Sequence, residues 1–357
     1  MAKEILKGNV AVAEAALRGG CDFFAGYPIT PSTETLEYLS ARMPELDMKT
    51  RFVQAENEIA AMNMVMGAAS AGARALTASS GPGISLKAEG MSYAARYSIP
   101  YVVLNVQRWG TGLGSLESGQ ADYNRDCKGG GHGDYHNVVF APCDIQEMVD
   151  DAYEAWEIAE RYRIGVTILS EAVLGQMMEG VVMPPFKKRE QELDWGIDGT
   201  GTKGMRYPAG AGIAYLNHAL HKYETVTEEM QRWACYETED ADYVLVAFGL
   251  PSRVCMDVVK KLRAQGEKVG LLRPKIIWPF PWKGFEELRA VNPNVKAFIS
   301  VETNDLGQMV DDVALAAKRA GYNVPTYCYA HSFGVPGVKK IIAKFMAIKN
   351  GEVKERY

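Results

Sequence analysis

The stretch that decides the fold is Gly26-Tyr27-Pro28-Ile29-Thr30-Pro31-Ser32-Thr33-Glu34. It follows a short apolar run at 22–25 and opens a helical segment at 34–42, so it reads as strand, tight turn and helix. Thr30 stands where an N-cap belongs, with Pro31 at the first helical position. Such a helix start offers free N–H groups and a positive dipole end to a carboxylate. Capping alone accounts for a threonine there equally well.

The same unit recurs outward from this point. Short buried strands are expected at 22–25, 51–53, 74–78, 101–107, 138–141 and 165–169, with helices at 10–18, 34–42, 56–72 and 145–160. Apolar, unalternating strands between helices imply a parallel sheet covered on both faces. Gly19-Gly20 ends the first helix, and Pro184-Pro185 closes the block. From 186 to 240 the chain reads as irregular, glycine-rich at 199–204 and 208–212, and suited to a linker or an inter-subunit surface. A second α/β block follows, with strands at 243–248, 268–272 and 297–301 and helices at 254–264, within 303–320 and at 338–349. Pro274 and Trp278-Pro279-Phe280-Pro281 mark a turn-rich connection. The expected division is 1–185, 186–240 and 241–357.

Three further motifs sit at strand-to-helix junctions. Glu56-Asn57-Glu58-Ile59-Ala60-Ala61 places acidic residues in a first helical turn, either to complement the dipole or to point a carboxylate into a cleft. Ser79-Ser80-Gly81-Pro82-Gly83 lets a ligand approach the backbone, although it also serves as an ordinary turn. It lacks the spacing of a dinucleotide fingerprint or a P-loop. Asn105-Val106-Gln107-Arg108 ends a strand with an arginine, suited to a bidentate carboxylate contact or to a structural ion pair. The loop beyond it reaches Lys128-Gly129-Gly130-Gly131-His132-Gly133-Asp134, where His132 is a proton donor, a substrate contact or a plain loop residue.

Composition narrows the alternatives. The 357 residues are 47% hydrophobic and 23% charged, enough for about two domains with a large core and no staples. The net charge of −5, from 39 basic and 44 acidic residues, does not suggest nucleic-acid binding. The longest basic cluster, Lys187-Lys188-Arg189, reads as a solvated loop. No stretch is long enough to span a bilayer and no signal-peptide core follows Met1, so the expected location is cytoplasmic. Cys21, Cys127, Cys143, Cys235, Cys255 and Cys328 lie far apart, which predicts structural thiols and no metal site or cluster on this chain. There is no GxSxG or HExxH.

Taken in order, Tyr27-Pro28-Ile29-Thr30-Pro31, the glutamate helix, Ser80-Gly81-Pro82-Gly83 and Asn105–Arg108 make the chain resemble the α subunit of the 2-oxoacid:ferredoxin oxidoreductases over nearly its whole length. The resemblance implies a thiamine-diphosphate pyrimidine-type domain followed by a transketolase C-terminal-like domain. It also implies a glutamate at the aminopyrimidine N1′, with a glycine nine positions later. Glu58 and Gly67 have that spacing, which selects Glu58 over Glu56. Thr30 and Arg108 match the family's substrate-binding residues, with Arg108 on the 2-oxoacid carboxylate. Pro28, Ile29, Ser80 and Gly81 fall on the cofactor side, Tyr27 and His132 on the substrate side. The family's GDG…N motif for diphosphate and Mg²⁺ has no counterpart, since Gly133-Asp134-Tyr135 does not match it. The resemblance therefore implies half an active site: thiamine diphosphate shared with a β subunit, and Mg²⁺ and [4Fe-4S] clusters on partners that include γ and ferredoxin-like δ subunits. Coenzyme A and ferredoxin are the implied co-substrates. The 128–135 and 174–179 stretches look most like the branched-chain (2-oxoisovalerate) subgroup, with the 2-oxoglutarate subgroup next. A second substrate carboxylate needs a further cation near Arg108, for which Arg125 and Lys128 are the candidates. A branched-chain acid needs apolar groups such as Trp109, Leu113 and Leu116. A non-catalytic scaffold and a carboligase half are the competing readings.

Overall fold

A computed structural model of the protein describes residues 3–46, 50–187, 193, 195–197, 199–200 and 213–357. The first part runs β1 (Glu4–Lys7), α1 (Gly8–Arg18), β2 (Phe23–Gly26), α2 (Thr33–Glu45), β3 (Arg51–Gln54), α3 (Glu58–Ser70), β4 (Ala75–Ser79), α4 (Pro82–Arg96) and β5 (Tyr101–Gln107). It continues through α5 (Tyr123–Lys128), β6 (Val138–Phe140), α6 (Ile145–Tyr162), β7 (Gly165–Glu171), α7 (Ala172–Gln176) and β8 (Met178–Val181). The second part comprises α8 (Ile213–Glu229), β9 (Trp233–Tyr236), β10 (Tyr243–Val246), α9 (Gly249–Arg263), β11 (Val269–Pro274), β12 (Ile276–Trp278), α10 (Trp282–Val291), β13 (Ala297–Glu302), α11 (Val310–Arg319), β14 (Thr326–Ala330) and α12 (Val338–Lys349).

Among the described residues, seven strands form one sheet in the order β12-β6-β7-β5-β4-β2-β3, and five form another in the order β14-β13-β10-β11-β9. The pairings from β6 to β3 are all parallel, and β12 joins β6 antiparallel. β5 and β7 are buried at every position, as strands covered on both faces must be. One covering helix, α6, shows how the sequence achieves this. Ile145, Met148, Val149, Ala152, Ala155, Trp156 and Ala159 fall on one face and are buried. Asp144 caps the helix by accepting from the Glu147 N–H at 2.8 Å.

Parallel strands deliver their carboxyl ends to one edge of the sheet. The neighbours β2, β4 and β5 therefore place the 27–32 loop, the 80–83 turn and Arg108 side by side. Glu58 follows β3 on the same edge.

Several expectations need correction. Residues 186–240 are not irregular throughout. Although Lys188, Arg189 and most of the glycine-rich 199–204 and 208–212 runs lie outside the described residues, 213–229 is helical and 233–236 is an edge strand antiparallel to β11. Val226 and Met230 are buried beside the partly buried Tyr223 in the first core, at helical spacing that composition alone conceals. Thr30 is not the N-cap of α2. The Ser32 N–H and hydroxyl both donate to the Ile29 carbonyl at 2.9 Å, which folds 29–32 into a turn, and the helix starts at Thr33. Helices α4 and α10 go unread in the sequence, the first because Gly83 and Gly90 weaken its pattern, the second because it follows the proline run.

The two sheets are tied together by polar contacts as well as packing. The Arg273 guanidinium donates twice to Glu147, at 2.6 and 2.7 Å. Burial opposes ionisation of Glu147, but this fork outweighs it and holds the carboxyl at about 2. In the second sheet, buried Glu302 accepts from the N–H groups of Gln308, Met309 and Val310, leading into α11. No helix among the described residues is long and apolar enough to cross a membrane.

Candidate active site

The geometric centre of the site is the turn between β4 and α4. Gly81 has φ +46°, a conformation that favours glycine, and Pro82 opens the helix. A methyl group on Gly81 would lie 3.1 Å from Arg108 Nε. A methyl on Gly83 would lie 2.6 Å from Glu58 Oε1 and 2.3 Å from the Ser79 hydroxyl. The turn thus separates a carboxylate from a guanidinium and touches both through glycines that admit no side chain.

Glu58 is the first residue of α3 and is 6% exposed. Asn57 caps the helix by accepting from the Ala60 N–H at 2.8 Å, which fixes the direction of the first turn. Gly67, nine positions on, has open space around it.

Arg108 is equally buried. It donates to the Thr30 carbonyl at 2.7 Å and to the Leu113 carbonyl at 2.6 Å, so it joins the 27–32 loop to the 109–120 loop. Among the described residues its Nε has no partner, and neither do the buried hydroxyls of Ser79 and Ser80. Unpaired buried polar atoms at one place are costly, and here they converge on the edge where the sequence motifs meet. Behind them Asn105 donates to Asp122 at 3.0 Å and to Asp126 at 2.9 Å. Burial, with Asp126 beside it, pushes Asp122 up to about 6.

Thr30 is exposed and opens on a cleft of about 510 Å³ lined also by Glu34, Glu37, Leu116, Glu117 and Val173. Tyr27 is exposed, while Pro28 and Ile29 are half-buried. Ser80 is buried and Gly81 half-buried. The structure therefore brings Glu58, Ser80, Gly81, Arg108 and Thr30 to one edge. It does not bring His132 with them. His132 is exposed and lies edge-on to Tyr93, while its carbonyl accepts from Ser92, so it sits about 15 Å along α4 from Gly83.

The two candidate cations for a second carboxylate are both engaged. Arg125 pairs with Asp126 and donates to the Ile84 carbonyl at 3.1 Å, and Lys128 pairs with Asp312. Of the apolar loop residues, Leu113 and Leu116 are exposed. Trp109 turns instead to the second part, 5.2 Å from the Phe333 ring and 3.2 Å from Asp305. No group of three or more metal-ligating side chains occurs among the described residues.

Sequence reasoning missed Lys87. It lies one turn after Gly83 and is 0% exposed, with Nζ 3.3 Å from the Glu58 carbonyl. The signal was its place in the stripe Gly83, Ile84, Ala88, Met91, Ala94, the buried face of α4.

A parallel sheet that gathers these motifs at its carboxyl edge, followed by a second α/β unit, is the architecture of a known class. The family model for the pyruvate flavodoxin/ferredoxin oxidoreductase thiamine diphosphate-binding domain fits residues 14–230. The model for pyruvate:ferredoxin oxidoreductase core domain II fits residues 241–338. The chain belongs to the 2-oxoacid:ferredoxin oxidoreductase family. It is 44% identical to the ketoisovalerate oxidoreductase subunit VorB of Methanothermobacter marburgensis, over 89% of this chain and 90% of that one. It is 33% identical to the 2-oxoglutarate synthase subunit KorA of Methanocaldococcus jannaschii, over 90% and 93%. Among solved structures, the 2-oxoglutarate:ferredoxin oxidoreductase of Magnetococcus marinus, with 2-oxoglutarate, coenzyme A and succinyl-CoA bound, superposes with a TM-score of 0.83 at 25% identity. The match covers 96% of this chain and 65% of that chain. A split gene transketolase shares the fold, with a TM-score of 0.61 at 12% identity.

Proposed function

We propose that this chain is the α subunit of an enzyme that oxidatively decarboxylates a branched-chain 2-oxoacid, 2-oxoisovalerate, with coenzyme A. The products are the acyl-CoA, CO₂ and reduced ferredoxin, formed as oxidised ferredoxin takes up the electron pair. The observation that carries this reading is the Gly81–Gly83 turn flanked by buried Glu58 and Arg108, with the Ser79 and Ser80 hydroxyls and Arg108 Nε unpartnered. Those unpaired atoms beside a buried carboxylate fit the ring half of thiamine diphosphate. Bound there, the cofactor supplies a nucleophilic carbon and an electron sink.

Each residue then has a task. Glu58 holds the proton at the aminopyrimidine N1′. Gly81 and Gly83, lacking side chains, let Arg108 and the Glu58 carboxylate close on the turn from either side. Arg108 spends one hydrogen of each terminal nitrogen on main-chain carbonyls, and its remaining donors hold the substrate carboxylate. Thr30 hydrogen-bonds the oxoacid where the cleft opens. Pro28, Ile29 and Tyr27 shape the neighbouring wall.

Two features favour a monocarboxylate over 2-oxoglutarate. Arg125 and Lys128 are already ion-paired, and Glu34, Glu37 and Glu117 around the cleft repel a second carboxylate. Leu116 and Val173 offer apolar contact to a branched side chain. The relatives at 44% and 43% identity are named ketoisovalerate oxidoreductase subunits, which supports the same choice.

The proposal includes a β subunit that binds the diphosphate and Mg²⁺ and carries [4Fe-4S] clusters, together with γ and ferredoxin-like δ subunits, all in the cytoplasm. Its domains are 1–185 and 241–357, joined by 186–240, with β12 returning to the first sheet.

The test uses the assembled complex with a panel of 2-oxoacids, coenzyme A and a low-potential acceptor. Branched acids are expected to lead in kcat/KM, and Glu58→Gln is expected to cost roughly 10²–10⁴-fold. Near wild-type activity in Glu58→Gln refutes the reading. Preference for 2-oxoglutarate refutes the substrate.

A further inference from the structure

We propose that Lys87 is a positioning residue: its ammonium group, buried behind the first turn of α3, holds Glu58 at the cofactor ring, and the site loosens when that group loses its proton. The inference rests on the reading of Glu58 given above and goes beyond it, because Lys87 touches neither ring nor substrate.

The geometry is specific. Lys87 follows Gly83 by one helical turn, so both face α3 from the same side of α4. Gly83 abuts the Glu58 carboxylate, and Lys87 Nζ donates to the Glu58 main-chain carbonyl at 3.3 Å. That is its hydrogen bond among the described residues. A lysine with no exposed surface is expensive, and a methionine of similar length would fill the same space without the desolvation cost. An ammonium retained there against that cost points to a use for its charge.

Charged groups on the surrounding elements are few. Glu58 faces Lys87 from α3. Arg108 lies beyond, against Gly81, and Arg125 of α5 reaches the Ile84 carbonyl with Asp126 and Asp122 behind it. Burial lowers the Lys87 pKa to about 8, and the Glu58 charge opposes the drop. The group is therefore charged at neutral pH and neutral a little above it. Below about pH 8 the ammonium makes a charge-assisted bond to the carbonyl; above it only the weaker hydrogen bond of a neutral amine is left.

The experiment measures thiamine diphosphate affinity in the assembled complex by titration calorimetry from pH 6.5 to 9.5, alongside kcat/KM. Wild type is expected to lose about tenfold in affinity across pH 8, with kcat falling in parallel. Lys87→Met should bind about tenfold more weakly at pH 7 and show no transition near 8. Lys87→Arg, whose charge persists, should bind as wild type does at pH 7 and keep that affinity to pH 9.5. Wild-type affinity with an unchanged transition in Lys87→Met overturns the proposal. Should Lys87→Met not fold, a transition near pH 8 that persists in Lys87→Arg overturns it instead. Glu58→Gln separates the two readings. If it binds and turns over normally, the role of Glu58 falls. If it is impaired while Lys87→Met behaves as wild type, the role of Lys87 alone falls.

Discussion

Replacing Gly83 by alanine isolates the position of one carboxylate. The new methyl would stand 2.6 Å from Glu58 Oε1 and 2.3 Å from the Ser79 hydroxyl, where ordinary contact begins near 3.4 Å. The φ of Gly83 suits any residue, so no backbone strain enters. The Glu58 side chain must give way by about 1 Å. For folding, overpacking of about 1–3 kcal/mol is partly offset by up to about 1 kcal/mol from the better helix propensity of alanine. For catalysis, a displacement of that size at a reacting group is worth about 10²-fold. Gly90→Ala is the control. On the same helix its methyl would press Met62 Cγ at 2.5 Å, well along α3 from the carboxylate. The assay pairs thermal unfolding with 2-oxoacid-dependent acceptor reduction by the complex. Gly83→Ala should keep most of its stability and lose about 10²-fold in kcat, whereas Gly90→Ala should lose stability and keep kcat within a few-fold. Equal kcat in the two variants refutes the cradle argument.

Two further outcomes follow from other contacts. Arg108→Leu is expected to raise KM for intact 2-oxoacids far more than for aldehydes lacking the carboxylate, and equal increases for both would remove the anchor role. Glu171 is buried between Ser118 Oγ at 2.6 Å and the Leu250 N–H at 3.1 Å, and burial pushes its carboxyl to about 7. A pKa raised on folding means the stabilisation is complete below the ordinary carboxylate range and is lost as pH rises through 7. Wild type should therefore lose up to about 3 kcal/mol between pH 4.5 and 8, and Glu171→Gln should flatten that slope in denaturant midpoints. Parallel curves for the two proteins would contradict this.

The fold class was legible in the sequence, and so was the meeting of four motifs at one edge of the sheet. Chemistry in a parallel sheet collects at strand ends, so a proline turn, an acidic helix start, a glycine turn and a terminal arginine could be recognised by position. What linear spacing could not give is which residues approach across elements. Lys87 reads as a surface lysine until α4 is known to face α3. His132 sits in a glycine-rich loop that looks like a ligand contact, yet its backbone is spent on Ser92. Arg125 and Lys128 carry the right charge for a dicarboxylate, but Asp126 and Asp312 take them. Asp312 is 184 residues from Lys128, beyond any local signal.

The second half of the chain contributes none of the proposed catalytic groups, yet the site depends on it through one loop. Arg108 is fixed by the Leu113 carbonyl, and Leu113 belongs to the 109–120 loop. That loop is secured in good part from the far side. Trp109 meets Phe333 and Asp305, the Gln120 side chain donates to the Phe248 carbonyl and accepts from the Thr303 N–H, and Ser118 leans on Glu171, which also holds Leu250. Gly249, at φ +58°, lets Gln120 and Glu171 approach that junction, since a side chain there would lie 3.0 and 3.2 Å from them. Were the two halves to separate, Arg108 would lose one of its two carbonyl partners and Leu116 its place beside Thr30. The second α/β unit is thus a frame for the first: it holds the loop whose Leu113 carbonyl fixes Arg108, and leaves Leu116 exposed in the cleft beside Thr30, where the proposed substrate's side chain would lie.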